Sequence, residues 1–224
     1  MATEYWLSPH VVACTTEVAL IFLDLLHDRY HGVPLMSSCK SDHSGAPLER
    51  VDDSYVPANV LEQLQRIDLL RREPSQRTFT QQRLATLQQD DWSTPTRTRM
   101  RDVTTFLRAC GWSRRALRIR SLLSIASELS ASPWDNSVAH DVDQTRRCAA
   151  AFRALRPLAF AAQDRCLFHA LALSRFATIH KLRPVWVIGV RTQPWSAHSW
   201  VQCGSVLMDA TPEQIRPYSV ILAV

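Results

Sequence analysis

No stretch of this chain is long and apolar enough to cross a membrane, and its amino terminus lacks the pattern of a secretory signal: Glu4 comes early, and the apolar run Val18–Leu26 is short and broken by Asp24. Residence in the cytoplasm is the expectation. Six cysteines, at 14, 39, 110, 148, 166 and 203, form no CxxC pair, and their wide scatter argues against a zinc site and a dense disulfide framework. They read as reduced thiols, and no metal is expected. Cys39 and His43 alone make too small a fragment for a metal site and read as a polar loop. Glycine is scarce, with five in 224 residues, and none belongs to a phosphate-cradling loop, so no cofactor is expected and nothing points to ATP binding.

What is present is uneven in charge. Residues 1–97 carry 9 basic and 13 acidic side chains, and residues 98–224 carry 17 and 8, so the halves are −4 and +9. The arginines of the basic half are spread over several expected helices and come with no nucleic-acid motif. Solvated helix faces, or a surface for an acidic peptide, fit them better than a nucleic acid.

The expected fold class is α+β. His10–Thr15 and Val18–Leu25 are rich in β-branched and large apolar residues, and Arg29–Val33 follows a polar break, which predicts a three-strand meander. Residues 34–54 read as a loop. Pro57 suits the first position of a helix in which Val60, Leu61, Leu64, Ile67 and Leu70 recur with helical spacing up to Pro74. The polar stretch 81–98 is expected to link a unit at 1–80 to a second at 99–224. In the second unit Ile119, Leu122, Leu123, Ala126 and Leu129 predict one amphipathic helix, and Ala149–Leu155 the end of another. Asp164 reads as the cap of a helix from about Arg165 to Lys181, followed by the strand Val185–Val190 and a closing hairpin.

That last helix carries the chemistry. Cys166 would sit in its first turn, where unpaired backbone N–H groups and the positive end of the dipole favour a thiolate. The other cysteines read as small core residues. Downstream, His198, Trp200 and Gln202 share one face of a strand, and Gly204 with Ser205 makes the turn. A two-residue turn at 204 and 205 sets Trp200 opposite Asp209, and a turn at 203 and 204 sets His198 there; either leaves His198 and Asp209 on one face. Thiol, imidazole and carboxylate so placed form the Cys-His-Asp set used in acyl transfer: His198 as general base, Asp209 orienting its ring. The backbone N–H of Cys166 is one candidate oxyanion donor, and the side chain of Gln163 a weaker second. Trp195 and Trp200 flank the histidine.

These segments, Asp164-Arg165-Cys166-Leu167, Val187–Arg191, Ala197-His198-Ser199-Trp200-Val201 and Leu207-Met208-Asp209, closely resemble the B proteins of lasso-peptide biosynthesis, whose peptidase domain is transglutaminase-like and papain-like. Tyr5–His10, Phe22–Leu25 and Asp28-Arg29-Tyr30 resemble the peptide-recognition domain fused to them. The resemblance implies a small winged-helix-like domain at 1–80 that takes the leader of a ribosomally made precursor as an added strand, with Arg29, Tyr30, Val33, Leu61 and Leu64 as the positions carried over. It implies a leader peptidase at 99–224 with Cys166, His198 and Asp209 as its triad. It also implies a partner, an asparagine-synthetase-like cyclase that uses the freed core amine to close a macrolactam in the bacterial cytoplasm. Two other readings stand beside this one: an acyl transferase in which an amine resolves the thioester, and a leader-binding scaffold without catalysis. The sequence departs from the family after the cysteine, where a Ser-Leu-Ala-Leu run is often found and His169-Ala170-Leu171-Ala172-Leu173 stands here. His169 shares the helix face of Cys166, but the sequence assigns it no orienting carboxylate, so His198 is preferred as base.

Overall fold

The computed structural model describes residues 4–36, 47–87, 98–131, 141–159 and 166–224. Cys39, His43, Gln163 and Asp164 lie outside the described residues, and with them the expected cap of the cysteine helix and the second oxyanion donor. The fold is mixed α+β. Its first part runs β1 (Tyr5–Leu7), β2 (Val11–Thr15), β3 (Ala19–Asp24), β4 (Arg29–Pro34), β5 (Arg50–Val51), α1 (Ala58–Arg66) and β6 (Leu70–Arg71). The remainder runs α2 (Met100–Ile119), α3 (Leu122–Ser130), α4 (Val142–Leu155), α5 (Cys166–Ile179), β7 (Val185–Thr192), β8 (Trp195–Cys203), β9 (Val206–Leu207), α6 (Pro212–Ile215) and β10 (Ser219–Ala223).

The meander forms as expected, an antiparallel sheet in the order β2-β3-β4. Its second turn is held by Asp24, whose Oδ1 accepts the backbone N–H groups of Leu26 and His27 and whose Oδ2 lies 2.7 Å from His27 Nδ1. Asp28 follows with φ 53°, a left-handed conformation that aspartate tolerates. Both faces of the sheet are covered, which explains why β2 and β3 are nearly unbroken apolar runs. Val12, Cys14, Ile21 and Leu23 join the core built by the later helices and β7–β10. Val11, Ala13, Leu20 and Phe22 join a second core with Leu61 and Leu64 of α1.

Two helix boundaries differ from expectation. α1 ends at Arg66, because Asp68 takes φ 58° and the Leu69 N–H closes on the Leu64 carbonyl; Leu70 then pairs with Leu7 as strand β6, and Ile67 is left exposed. This pairing completes a small sheet in the order β5-β1-β6 that the sequence did not predict. Ile119 and Leu122 belong to separate helices. The backbone is extended at Arg120 and Ser121, and the Ser121 hydroxyl accepts the Ser124 N–H as the cap of α3.

The carboxy-terminal sheet is antiparallel in the order β10-β7-β8-β9. Trp186, Ile188, Val190, Val201 and Cys203 share a core with Leu171, Leu173 and Phe176 of α5. On the other face Val187, Trp200 and Leu207 form a smaller cluster, covered in part by Leu84, Leu87 and Tyr218. Residues 81–87 are tied to this sheet: Gln82 N–H donates to the Ala223 carbonyl at 2.9 Å, and Gln202 Nε2 donates to the Ala85 carbonyl at 2.8 Å.

Candidate active site

Cys166 is the first described residue of α5 and is half-buried. All five described cysteines are free thiols. Burial pushes the thiols of Cys14 and Cys110 up to about 12 and about 11, and it raises those of Cys148 and Cys203 as well, so these four are inert packing groups. Cys166 is therefore the described cysteine whose setting suits a nucleophile.

The β8–β9 connection settles the register. Cys203 pairs with Val206, so Gly204 (φ 58°) and Ser205 form the turn, and the count continues to Trp200 opposite Asp209. β9 stops at Leu207, and past that point the Asp209 side chain turns in. Its Oδ1 accepts the Val201 N–H at 2.9 Å, and its Oδ2 lies 3.3 Å from His169 Nδ1. The carboxylate is 4% exposed and the His169 side chain 10%. His169 thus has a carboxylate partner, which corrects the sequence-based ground for setting it aside. Asp209 reaches α5 because it leaves the strand ladder at the sheet edge instead of continuing along it.

His198 pairs across the hairpin with Gly189 and shares the face of Trp200. Its ring stacks on Trp200 at 6.1 Å between centroids and lies 5.5 Å from the Tyr218 ring. Gly189 is required here. A Cβ at that position would sit 2.7 Å from the Trp200 ring and 2.9 Å from the Tyr218 Cβ. Burial lowers the pKa of His198 below its ordinary 6.5; the nearby Asp209 charge opposes that shift and His169 adds to it. The structure therefore brings Asp209 and His169 into contact and sets His198 within reach of both charges. Tyr218, just before β10, was missed from sequence; nothing in its local pattern links it to a residue twenty positions earlier.

The amino-terminal sheet comes to this site. Burial raises the Tyr30 hydroxyl above its ordinary range, and the charges of Asp28, Cys166 and Cys14 push in the same direction, which places Tyr30 within the field of the thiol. Its ring meets Trp195 edge-on at 5.4 Å. Between β4 and the hairpin tip lies a groove of about 590 Å³, lined by Val18, Ile21, Tyr30, Pro34 and Trp195 among others. Of the other positions carried over for leader binding, Val33 packs with Leu61 and Leu64 on the opposite face of the sheet from Tyr30, and Arg29 is exposed at the start of β4.

The described part of α5 opens with a cysteine and packs against the antiparallel sheet that carries His198, with Asp209 just beyond its edge strand. Residues 106–223, more than half of the chain, match the family model of the transglutaminase-like superfamily, and the chain belongs to that superfamily. Cys166, His169, His198 and Asp209 all lie within the match. A curated relative is the Microcin J25-processing protein McjB of Escherichia coli, 39% identical over 56 residues, which is 25% of this chain and 27% of that protein. The chain thus aligns with about a quarter of the relative's length. No solved structure matches it. Among the described residues, no helix is long and apolar enough to cross a membrane.

Proposed function

We propose that this protein is a cysteine endopeptidase that removes the leader from a ribosomally made lasso-peptide precursor. The observation that carries the reading is the buried Asp209 carboxylate, fixed by the Val201 N–H and grouped with two imidazoles, in a transglutaminase-like fold whose helix α5 begins at Cys166. The McjB match suggests the substrate class. In this mechanism His198 takes the Cys166 proton, the thiolate adds to the carbonyl of the last leader residue, and the oxyanion is held by backbone N–H groups at the start of α5. Collapse of the intermediate breaks the C–N bond, and the imidazolium gives its proton to the core amine. Water, deprotonated by His198, then resolves the thioester to a leader acid and regenerates the thiol. Burial of His198 serves this role, since a lowered pKa keeps the ring neutral at pH 7.

Leader capture falls to residues 1–80, read as the winged-helix-like unit, with 81–98 as the link to the peptidase unit at 99–224. β4 is the edge strand of its sheet among the described residues, the position an added strand would take, and Val33 of β4 packs against the core that holds Leu61 and Leu64. The freed core amine passes to an asparagine-synthetase-like cyclase in the bacterial cytoplasm.

A precursor peptide encoded beside the gene, incubated with the protein and analysed by mass, tests this. A leader ending in a free carboxylate supports hydrolysis. A leader joined to an added amine would make the protein an acyl transferase, and tight leader binding with cleavage unchanged in Cys166→Ala would leave a scaffold.

A further inference from the structure

His169 is buried on α5, one turn after Cys166, and faces three elements. The Phe152 ring of α4 lies edge-on to it at 5.2 Å. Asp209, beyond β9, offers Oδ2 at 3.3 Å to its Nδ1. β8 packs against α5, and the His169 charge helps to lower the pKa of His198 on that strand. Asp209 has two oxygens and two fixed neighbours: the Val201 N–H holds Oδ1 in line with β8, and His169 holds Oδ2 toward α5. A carboxylate held at both oxygens cannot rotate about its terminal bond, and its position relative to the rings on either side is set.

We infer that His169 is a positioning residue: it locks the Asp209 carboxylate between α5 and the hairpin, and so fixes the field in which His198 works and the spacing of the hairpin from the helix that bears Cys166. This rests on the peptidase reading for its role in turnover, but the lock itself does not. Among the described residues, Asp209 lies 3.3 Å from the His169 ring, the His198 charge is coupled to it, and α4 packs the Phe152 ring against it.

The test uses the full-length protein with His169→Leu, which keeps the packing but cannot donate, and His169→Asn, whose amide can replace the Nδ1–H. Precursor cleavage is expected to lose about tenfold to a hundredfold in kcat in His169→Leu with KM little changed, and to recover most of that in His169→Asn, since small misplacement of a catalytic group costs rates of this order. The acid limb of kcat/KM is expected to move to higher pH in both variants, because His169 helps to lower the pKa of His198. The rate of Cys166 alkylation against pH, mapped by peptide mass, reads the same lock without a substrate. It is expected to change in His169→Leu even if the precursor proves not to be the substrate. Wild-type turnover and an unchanged alkylation profile in His169→Leu would overturn the proposal. So would loss of cleavage in both His169 variants to the Cys166→Ala level with activity retained in His198→Ala, which would make His169 the base. Thermal unfolding of each variant separates these outcomes from misfolding.

Discussion

His198 is the residue whose environment speaks most directly to activity. A base must be neutral to accept the thiol proton, and burial against Trp200 and Tyr218 lowers its pKa below 6.5. The acid limb of kcat/KM is therefore expected below pH 6.5, and a pH profile with its half-maximum above that value would speak against His198 as base. At this scale the sequence was informative where chemistry sits on short spacings. A cysteine near the start of an expected helix and a His-x-Trp on a strand before a two-residue turn are local patterns, and they make Cys166, His198 and Asp209 candidates; the turn at Gly204 and Ser205 is the part the fold bears out. The contact between His169 and Asp209 was not legible, because it spans forty residues and depends on how α5 lies across the sheet edge. Tyr218 escaped for the same reason.

Among the elements, the β7–β8 hairpin positions His198, and Gly189 is the residue that allows it. Gly189→Ala would drive a Cβ to 2.7 Å from the Trp200 ring, and overpacking of this kind costs about 1–3 kcal/mol. Chemical denaturation should show that loss together with slower precursor cleavage. The β3–β4 turn carries a different signature. Burial raises the pKa of Asp24, but the His27 ring and the backbone N–H groups of His27 and Leu26 outweigh it, and the net shift is downward. A depressed carboxylate contributes stability that is present above its unfolded pKa of about 4 and is lost as pH falls through the folded value. Asp24→Asn should lower stability by about 1–3 kcal/mol at pH 7, with the deficit shrinking toward pH 3. The meander was readable because β-branched runs and a polar break mark strands directly. The end of α1 was not, since the helical spacing of leucines runs on through Asp68, and only the left-handed backbone there and the pairing of Leu70 with Leu7 stop it. The break between α2 and α3 lay hidden in a continuous apolar period that a serine cap interrupts.

For the whole molecule, the consequence of the shared core is cooperativity. Val12, Ile21, Leu23 and Leu25 of the amino-terminal sheet pack in one cluster with Phe106, Phe176 and Trp186, and the Leu123 N–H donates to the Leu25 carbonyl at 2.9 Å. Leu25 is fully buried there, and Leu25→Ala is expected to cost about 2–5 kcal/mol and to lower a single unfolding transition seen alike by far-UV circular dichroism and tryptophan fluorescence. Two separate transitions, with only the earlier one shifted, would mean that the parts fold independently. Composition and charge indicated the class of chain, but could not reveal this joint core, since the residues that make it are apolar in either arrangement. In the proposed reaction Cys166 cleaves the precursor with His198 and Asp209 in support. The rate of leader release, followed by mass, for wild type and for Cys166→Ala, His198→Ala and Asp209→Asn tests it. One cut by wild type, with each variant slower by about a thousandfold or more, is the predicted result. Cleavage at the wild-type rate by Cys166→Ala would contradict it.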